Sequence, residues 1–199
     1  MRTIAKRIRI LTRRLVGASL LFAAVVLLAG PGGLEAQAGE GPVSFNVRGG
    51  LALPTFDIAD VADPGGSFGA GVKVHLDERL FLRGNADFGF HPGASPSLPD
   101  VDVFHYVAGL GYRLTPDDAR WYASVNLGAG ALTFAPEVPG DPSFTYFAIN
   151  AGGEVGYRVT DRLSVFLSPQ GDIAFSDDAE VGTGDAWVWP LTAGLEFRP

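Results

Sequence analysis

The chain contains no cysteine. Disulfide frameworks, thiol catalysis and thiolate-held metals are therefore excluded, and an exported chain of this kind must take its stability from elsewhere. Three histidines, His75, His91 and His105, leave little material for an imidazole-based metal centre. Beyond Ala29 no apolar run approaches the ~20 residues that a membrane-spanning helix requires. If this chain crosses a membrane, strands must do it.

The N-terminus carries a processing signal. Arg2, Lys6, Arg7, Arg9, Arg13 and Arg14 form a basic region, residues 15–29 are apolar, and Ala36-Gln37-Ala38 supplies the small residues of a cleavage site. The apolar run is too short for a spanning anchor, and no basic stop follows it. We therefore read residues 1–38 as a cleaved signal peptide and 39–199 as the mature domain, beginning at Gly39. Removing the leader leaves 9 Lys+Arg against 21 Asp+Glu, a net charge of −12. Such an acidic domain is a poor partner for nucleic acid.

From Val43 onward, apolar residues alternate with small or polar ones in stretches of about ten residues. Residues 80–90 show it best: Leu80, Leu82, Gly84, Ala86, Phe88 and Phe90 fall on one parity, Phe81, Arg83, Asn85, Asp87 and Gly89 on the other. A helix would mix these sets, whereas a strand separates them. The same pattern predicts further strands over 43–53, 67–76, 103–114, 120–134, 144–159, 163–175 and 186–198. Short turns at 77–79, 115–119 and 160–162 alternate with longer loops at 54–66, 91–102, 135–143 and 176–185. That is the connectivity of an up-and-down membrane barrel, with short periplasmic turns and long outer loops. The predicted fold is all-β: an eight-stranded antiparallel up-and-down transmembrane β-barrel in the cell outer membrane.

The apolar parity carries no charge, and its aromatics avoid the middle of the strands. Phe45, Tyr112, Trp121, Tyr157 and Phe197 fall near one end, Phe68, Phe88, Phe90, Phe104, Tyr106, Phe147, Phe175, Trp187 and Trp189 near the other. Val47, Val72, Ala86, Ala108, Val125, Ala151, Leu167 and Leu191 lie between, so two aromatic girdles flank an aliphatic band. A soluble lipocalin-like barrel has no reason to sort residues by height. The opposite parity then lines the lumen, and we expect Arg48, Lys73, Arg83, Asp87, Arg113, Glu154, Arg158, Asp172 and Glu196 to form a polar core there. An eight-stranded interior is just wide enough for side chains to fill.

With this pattern the chain resembles the small outer-membrane barrels of the OmpA-transmembrane-domain, OmpX and opacity-protein type. The resemblance covers 39–199 and rests on architecture. Its most specific element is the last strand, where Thr192, Gly194 and Phe197 stand at the spacing of a C-terminal assembly signal, with Pro199 in place of the usual terminal aromatic. It implies recognition by the barrel-assembly machinery, a Gram-negative outer membrane, lipid and lipopolysaccharide as neighbours, and a barrel without a periplasmic domain.

Little catalytic chemistry is legible. His91, Ser95, Ser97 and Asp100 share one loop and have the residue types of a hydrolytic triad, but a Pro-rich loop supplies no fixed geometry. His75 and His105 lie roughly 20 Å apart in height, given ~3.4 Å per residue, and cannot share an ion. Lipid A-modifying barrels match poorly: the palmitoyltransferase type carries a histidine in the first outer loop, which has none here, and the deacylase type a late His-x-Ser pair, while no histidine follows His105. Pro169 and Pro190 each remove a ladder hydrogen bond, and we expect a bulge there rather than a lateral gap.

The long loops are acidic throughout, with Asp177, Asp178 and Glu180 the tightest cluster. No EF-hand-like spacing occurs, so at most a weak, diffuse association with divalent cations is expected. The reading is a non-enzymatic barrel without cofactor or resident metal, contributing to envelope integrity or surface interaction through its acidic loops. A narrow porin or channel for small or hydrophobic solutes is the alternative, and a lipid A-modifying enzyme a distant third.

Overall fold

The computed structural model describes residues 42–138, 140, 142–177 and 184–199. The leader therefore lies outside the described residues, as do Asp178 and Glu180 of the acidic cluster.

Eight antiparallel strands close in chain order into one barrel: β1 (Val43–Thr55), β2 (Gly65–His75), β3 (Leu80–His91), β4 (Val101–Arg113), β5 (Trp121–Pro136), β6 (Phe144–Arg158), β7 (Leu163–Phe175) and β8 (Asp185–Phe197). The expected fold class is the observed one. β1 closes the ring by pairing with β8 from Phe45↔Phe197 to Thr55↔Trp187. Closure pairs every strand on both sides, leaving no sheet edge. A short 3-10 helix, Phe56–Asp60, follows β1 and, among the described residues, is the one element the strand pattern did not announce.

Side-chain oxygens close two of the short turns. Asp77 accepts from the backbone N–H of Arg79 and of Leu80, both at 2.7 Å. Thr160 does the same for Arg162 and Leu163 at 3.3 and 3.0 Å. Each thus occupies donors that the ladder has not yet taken up. The N–H of Leu80, followed by that of Arg79, holds the Asp77 carboxyl below its usual range.

The two parities separate as a strand requires. Val47, Leu127 and Leu167 point outward and are exposed, as are Phe68, Phe147 and Trp121 at the strand ends. Rings pair along the rims: Trp121 with Tyr157 at the short-turn end (4.9 Å), Phe88 with both Phe68 (5.2 Å) and Phe104 (5.0 Å) at the long-loop end. On the outward parity Val72 is nonetheless buried, at 3% exposure, as are Ala135 and Gly171 near the long-loop end. Phe56, at φ 61, is a non-glycine residue in left-handed backbone, a position that costs on the order of 1–3 kcal/mol. Its ring meets Trp187 edge-on at 5.4 Å and extends the aromatic rim.

Neither strand proline makes a bulge. β6 and β7 pair from Ala148↔Ala174 to Gly152↔Gln170, lapse, and resume at Val155↔Leu167 in unchanged register. β7 and β8 lapse likewise between Pro169↔Leu191 and Asp172↔Val188. A bulge would insert a residue and shift the register, and none is inserted. Pro169 has no N–H to give, so the carbonyl facing it, that of Gly153, accepts instead from Ser168 Oγ (3.2 Å) and Gln170 Nε2 (3.1 Å). On the outer face the Trp189 ring lies against Gly171, where a Cβ would meet it, and Trp189 Nε1 donates to Thr55 Oγ1 at 3.0 Å. The β6–β7 lapse is thus met from inside and the β7–β8 lapse from outside.

Candidate functional site

The barrel interior is where the charged residues converge. Lys73, Arg83, Arg113, Glu154, Asp172 and Glu196 are buried there, and the side chains of Arg48 and Asp87 are almost as enclosed. A buried charge is tolerated only when paired and hydrogen-bonded. Lys73 Nζ of β2 donates to Glu154 of β6 at 2.6 Å and also to Glu196 of β8. It sits between the rings of Phe81 (5.5 Å) and Phe166 (5.6 Å), which supply cation–π contact. Arg48 forks onto Asp87 through Nε (2.7 Å) and Nη2 (2.5 Å). Arg83 of β3 donates to Gln170 of β7 at 3.2 Å and to Asn150 of β6. Asp172 accepts from Asn150 Nδ2 at 2.6 Å and pairs with His105 Nδ1 at 2.9 Å.

The topology gives these contacts their meaning. In a ring of eight, β2 faces β6 and β3 faces β7, so Lys73–Glu154 and Arg83–Gln170 run across the diameter. Among the described residues, small voids of about 10 and 20 Å³ lie between the polar side chains. A void needs roughly 10–15 Å³ to hold one water molecule, so each takes about one. No hydrated ion fits either.

Lumen-facing glycines do not open the wall. Added Cβ atoms at Gly111, Gly156 and Gly194 would strike the rings of Phe81, Tyr122 and Phe166, each from an adjacent strand. The glycines make room for aromatic filling. At the short-turn end Arg113 and Arg158 both reach Asp117, Arg113 in a direct ion pair and Arg158 at 3.8 Å. Asp117 belongs to a turn, and alternation carries no information about turn residues pointing back into the lumen. Arg198 Nη2 lies 2.8 Å from His75 Nε2.

Above the polar network the interior turns apolar, which sequence reasoning missed. Val103, Leu132, Phe134, Ala148, Ala174 and Ala186 form a buried cluster, and Ile58 of the 3-10 helix closes over it. The signal was present in runs such as 101–107, where both parities are largely apolar and a purely polar lumen face does not follow.

The loop residues of the hydrolytic grouping are not brought together as a triad. His91 ends β3, and its Nδ1–H donates to the Asp63 carbonyl at 3.1 Å. Ser95 and Ser97 bond each other at 2.9 Å, and Asp100 accepts from the Gly93 N–H at 3.1 Å. His75 lies at the short-turn end beside Arg198 and His105 within the polar network beside Asp172, so the two have different partners. Among the described residues no group of three or more His, Asp or Glu is placed to hold a metal ion. Of the acidic cluster, Asp177 is described and exposed.

A closed eight-stranded barrel with a polar interior, an apolar exterior and aromatic rims can be compared with known proteins. Residues 21–198 match the outer membrane protein beta-barrel domain. The chain belongs to this family. No curated protein matches it in sequence. Among solved structures it is similar to Neisserial surface protein A (TM-score 0.66, 12% identity, 81% of this chain and 99% of that one). It is also similar to OprG of Pseudomonas aeruginosa (0.56, 12%, 81% and 98%) and to a major outer membrane protein of Thermus thermophilus (0.55, 13%, 82% and 100%). At these identities the likeness is one of fold. Family membership gives the outward aliphatic band its environment, the hydrocarbon of an outer membrane.

Proposed function

We propose that the protein is exported by its leader, inserted into the outer membrane, and serves there as a sealed, non-enzymatic barrel. On this reading it contributes to envelope integrity and presents its acidic long loops as a surface. The observation that carries the reading is the transverse network, in which Lys73 joins β2 to β6 and β8 while Arg83 joins β3 to β6 and β7. A channel would need these bonds broken and the charges rehydrated along the axis. At the two interruptions the Trp189 ring lies over the β7–β8 lapse from outside and the Gln170 amide meets the β6–β7 lapse from inside, which supports a wall without a side exit.

Planar-bilayer recording tests this. The purified barrel should insert without discrete single-channel steps in 1 M KCl, and Lys73→Ala together with Arg83→Ala should produce them. Regular steps from the unaltered protein would overturn the sealed reading in favour of a narrow porin.

A further inference from the structure

A base stands wherever a strand ends at the short-turn mouth of the lumen. β2 ends in His75, β4 in Arg113 and β6 in Arg158, and Arg198 follows β8. Each is fixed through its backbone N–H to the residue that precedes the neighbouring strand. His75 donates to the Pro42 carbonyl (2.6 Å), Arg113 to that of Arg79 (2.7 Å), Arg158 to that of Arg120 (2.8 Å) and Arg198 to that of Arg162 (2.9 Å). Three of the four couples thus set arginine beside arginine. Like charges opposite one another weaken a strand pair, so pairing does not account for them.

Arg113, Arg158, Arg162 and Arg198 line one void of about 20 Å³, room for a single water-sized occupant. Charge around it is unbalanced. Among the described residues, Lys73, Arg113, Arg158 and Arg198 bring positive charge to this end of the lumen, against Glu154, Glu196 and Asp117. Exposed Arg162 and Asp161 cancel each other. His75 is neutral, because a guanidinium only donates and Arg198 Nη2 lies 2.8 Å from its Nε2. One positive charge is left over. Unbalanced charge away from bulk water is costly. A water molecule in the void accepts hydrogen bonds but neutralises nothing, whereas an anion does both.

We propose that this void binds one small monovalent anion of the halide class, with chloride its ordinary occupant, among the guanidinium groups of Arg113, Arg158 and Arg198. The ion enters without its hydration shell, which charge-assisted hydrogen bonds replace. Size excludes phosphate, sulfate and carboxylates, and the sign of the wall excludes cations. The void lies on the short-turn side of the Lys73–Glu154 bond, so the ion is resident and the site needs no open lumen.

Urea unfolding in detergent micelles, read by heat-dependent gel mobility, tests the proposal in ~0.1 M NaCl against ~0.1 M sodium gluconate, two salts of equal screening. Chloride should lower the unfolding equilibrium constant of the unaltered protein about tenfold, as a ligand does at roughly ten times its Kd. Arg158→Gln removes the excess charge while leaving the Arg113–Asp117 pair, and should abolish the difference between the salts. Arg198→Gln should abolish it by the same argument. Arg120→Gln alters an exposed guanidinium at the same end and should preserve it. Equal stability of the unaltered protein in the two salts overturns the proposal without reference to any variant. A chloride effect that survives Arg158→Gln and Arg198→Gln, or one that Arg120→Gln removes, assigns it to the surface and overturns the proposal as well.

Discussion

Lys73→Met should lower the stability of the barrel by about 3–5 kcal/mol, the usual cost of removing one partner from a buried ion pair. The ammonium satisfies two carboxylates, Glu154 and Glu196, both buried. Without it each must either stay charged without its cation or take up a proton, and both alternatives cost free energy. Methionine keeps the apolar stem and its packing between Phe81 and Phe166, so the loss isolates the charge. The triple variant Lys73→Met, Glu154→Gln, Glu196→Gln should recover most of the stability, since removing all the charges leaves none unpaired. Urea unfolding in detergent micelles, read by heat-dependent gel mobility, checks both. A loss below about 1 kcal/mol for Lys73→Met would mean that water already reaches the carboxylates, and the lumen would not be sealed.

The second large effect belongs to the outer face. Leu127 stands at mid-height, with Leu110 and Ala151 beside it in register, and is 62% exposed. In a water-facing surface Leu127→Arg would change stability by no more than ~0.5 kcal/mol. In hydrocarbon it should cost about 2–4 kcal/mol, falling to about 0–1 kcal/mol near the interface. Val159, just past the end of β6 and 51% exposed, provides that end-of-strand comparison. Leu127→Arg should therefore be much the more damaging of the two in folding titrations into lipid vesicles. Equal small effects would remove the membrane from the account.

Which parts of this architecture are legible in the sequence follows from the physics of each. The strands and short turns are legible because a two-residue period survives wherever one face meets lipid and the other a polar lumen. Asp77-Glu78-Arg79 and Thr160-Asp161-Arg162 put an oxygen-bearing side chain first, where it can cap the turn. Pairings across the lumen are another matter. That Lys73 selects Glu154 and Glu196, and Arg48 selects Asp87, depends on shear and closure, which no local pattern contains. The role of Asp117 is hidden for a related reason, since its chain position says turn while its side chain serves the lumen.

The apolar upper interior is obscured differently. Where Val101, Val103 and Val107 face inward and Phe104 and Tyr106 outward, both parities are apolar and the period that distinguishes them disappears. Pro169 and Pro190 show the limit of a local rule. Each removes a donor, as any proline must, but neither shifts the register, and the carbonyl facing Pro169 is met by Ser168 and Gln170 rather than by an added residue.

The chain holds three tryptophans, Trp121, Trp187 and Trp189. All lie on the outward parity, Trp121 at the short-turn end and the other two at the long-loop end. Fluorescence quenching by brominated phospholipids therefore reads the central claim from the unaltered protein. The account predicts strong quenching in vesicles, greater for bromines placed near the headgroups than for those near the bilayer centre, because both girdles sit at the interfaces. Emission insensitive to brominated lipid, from a barrel that gel mobility shows to be folded, would contradict it.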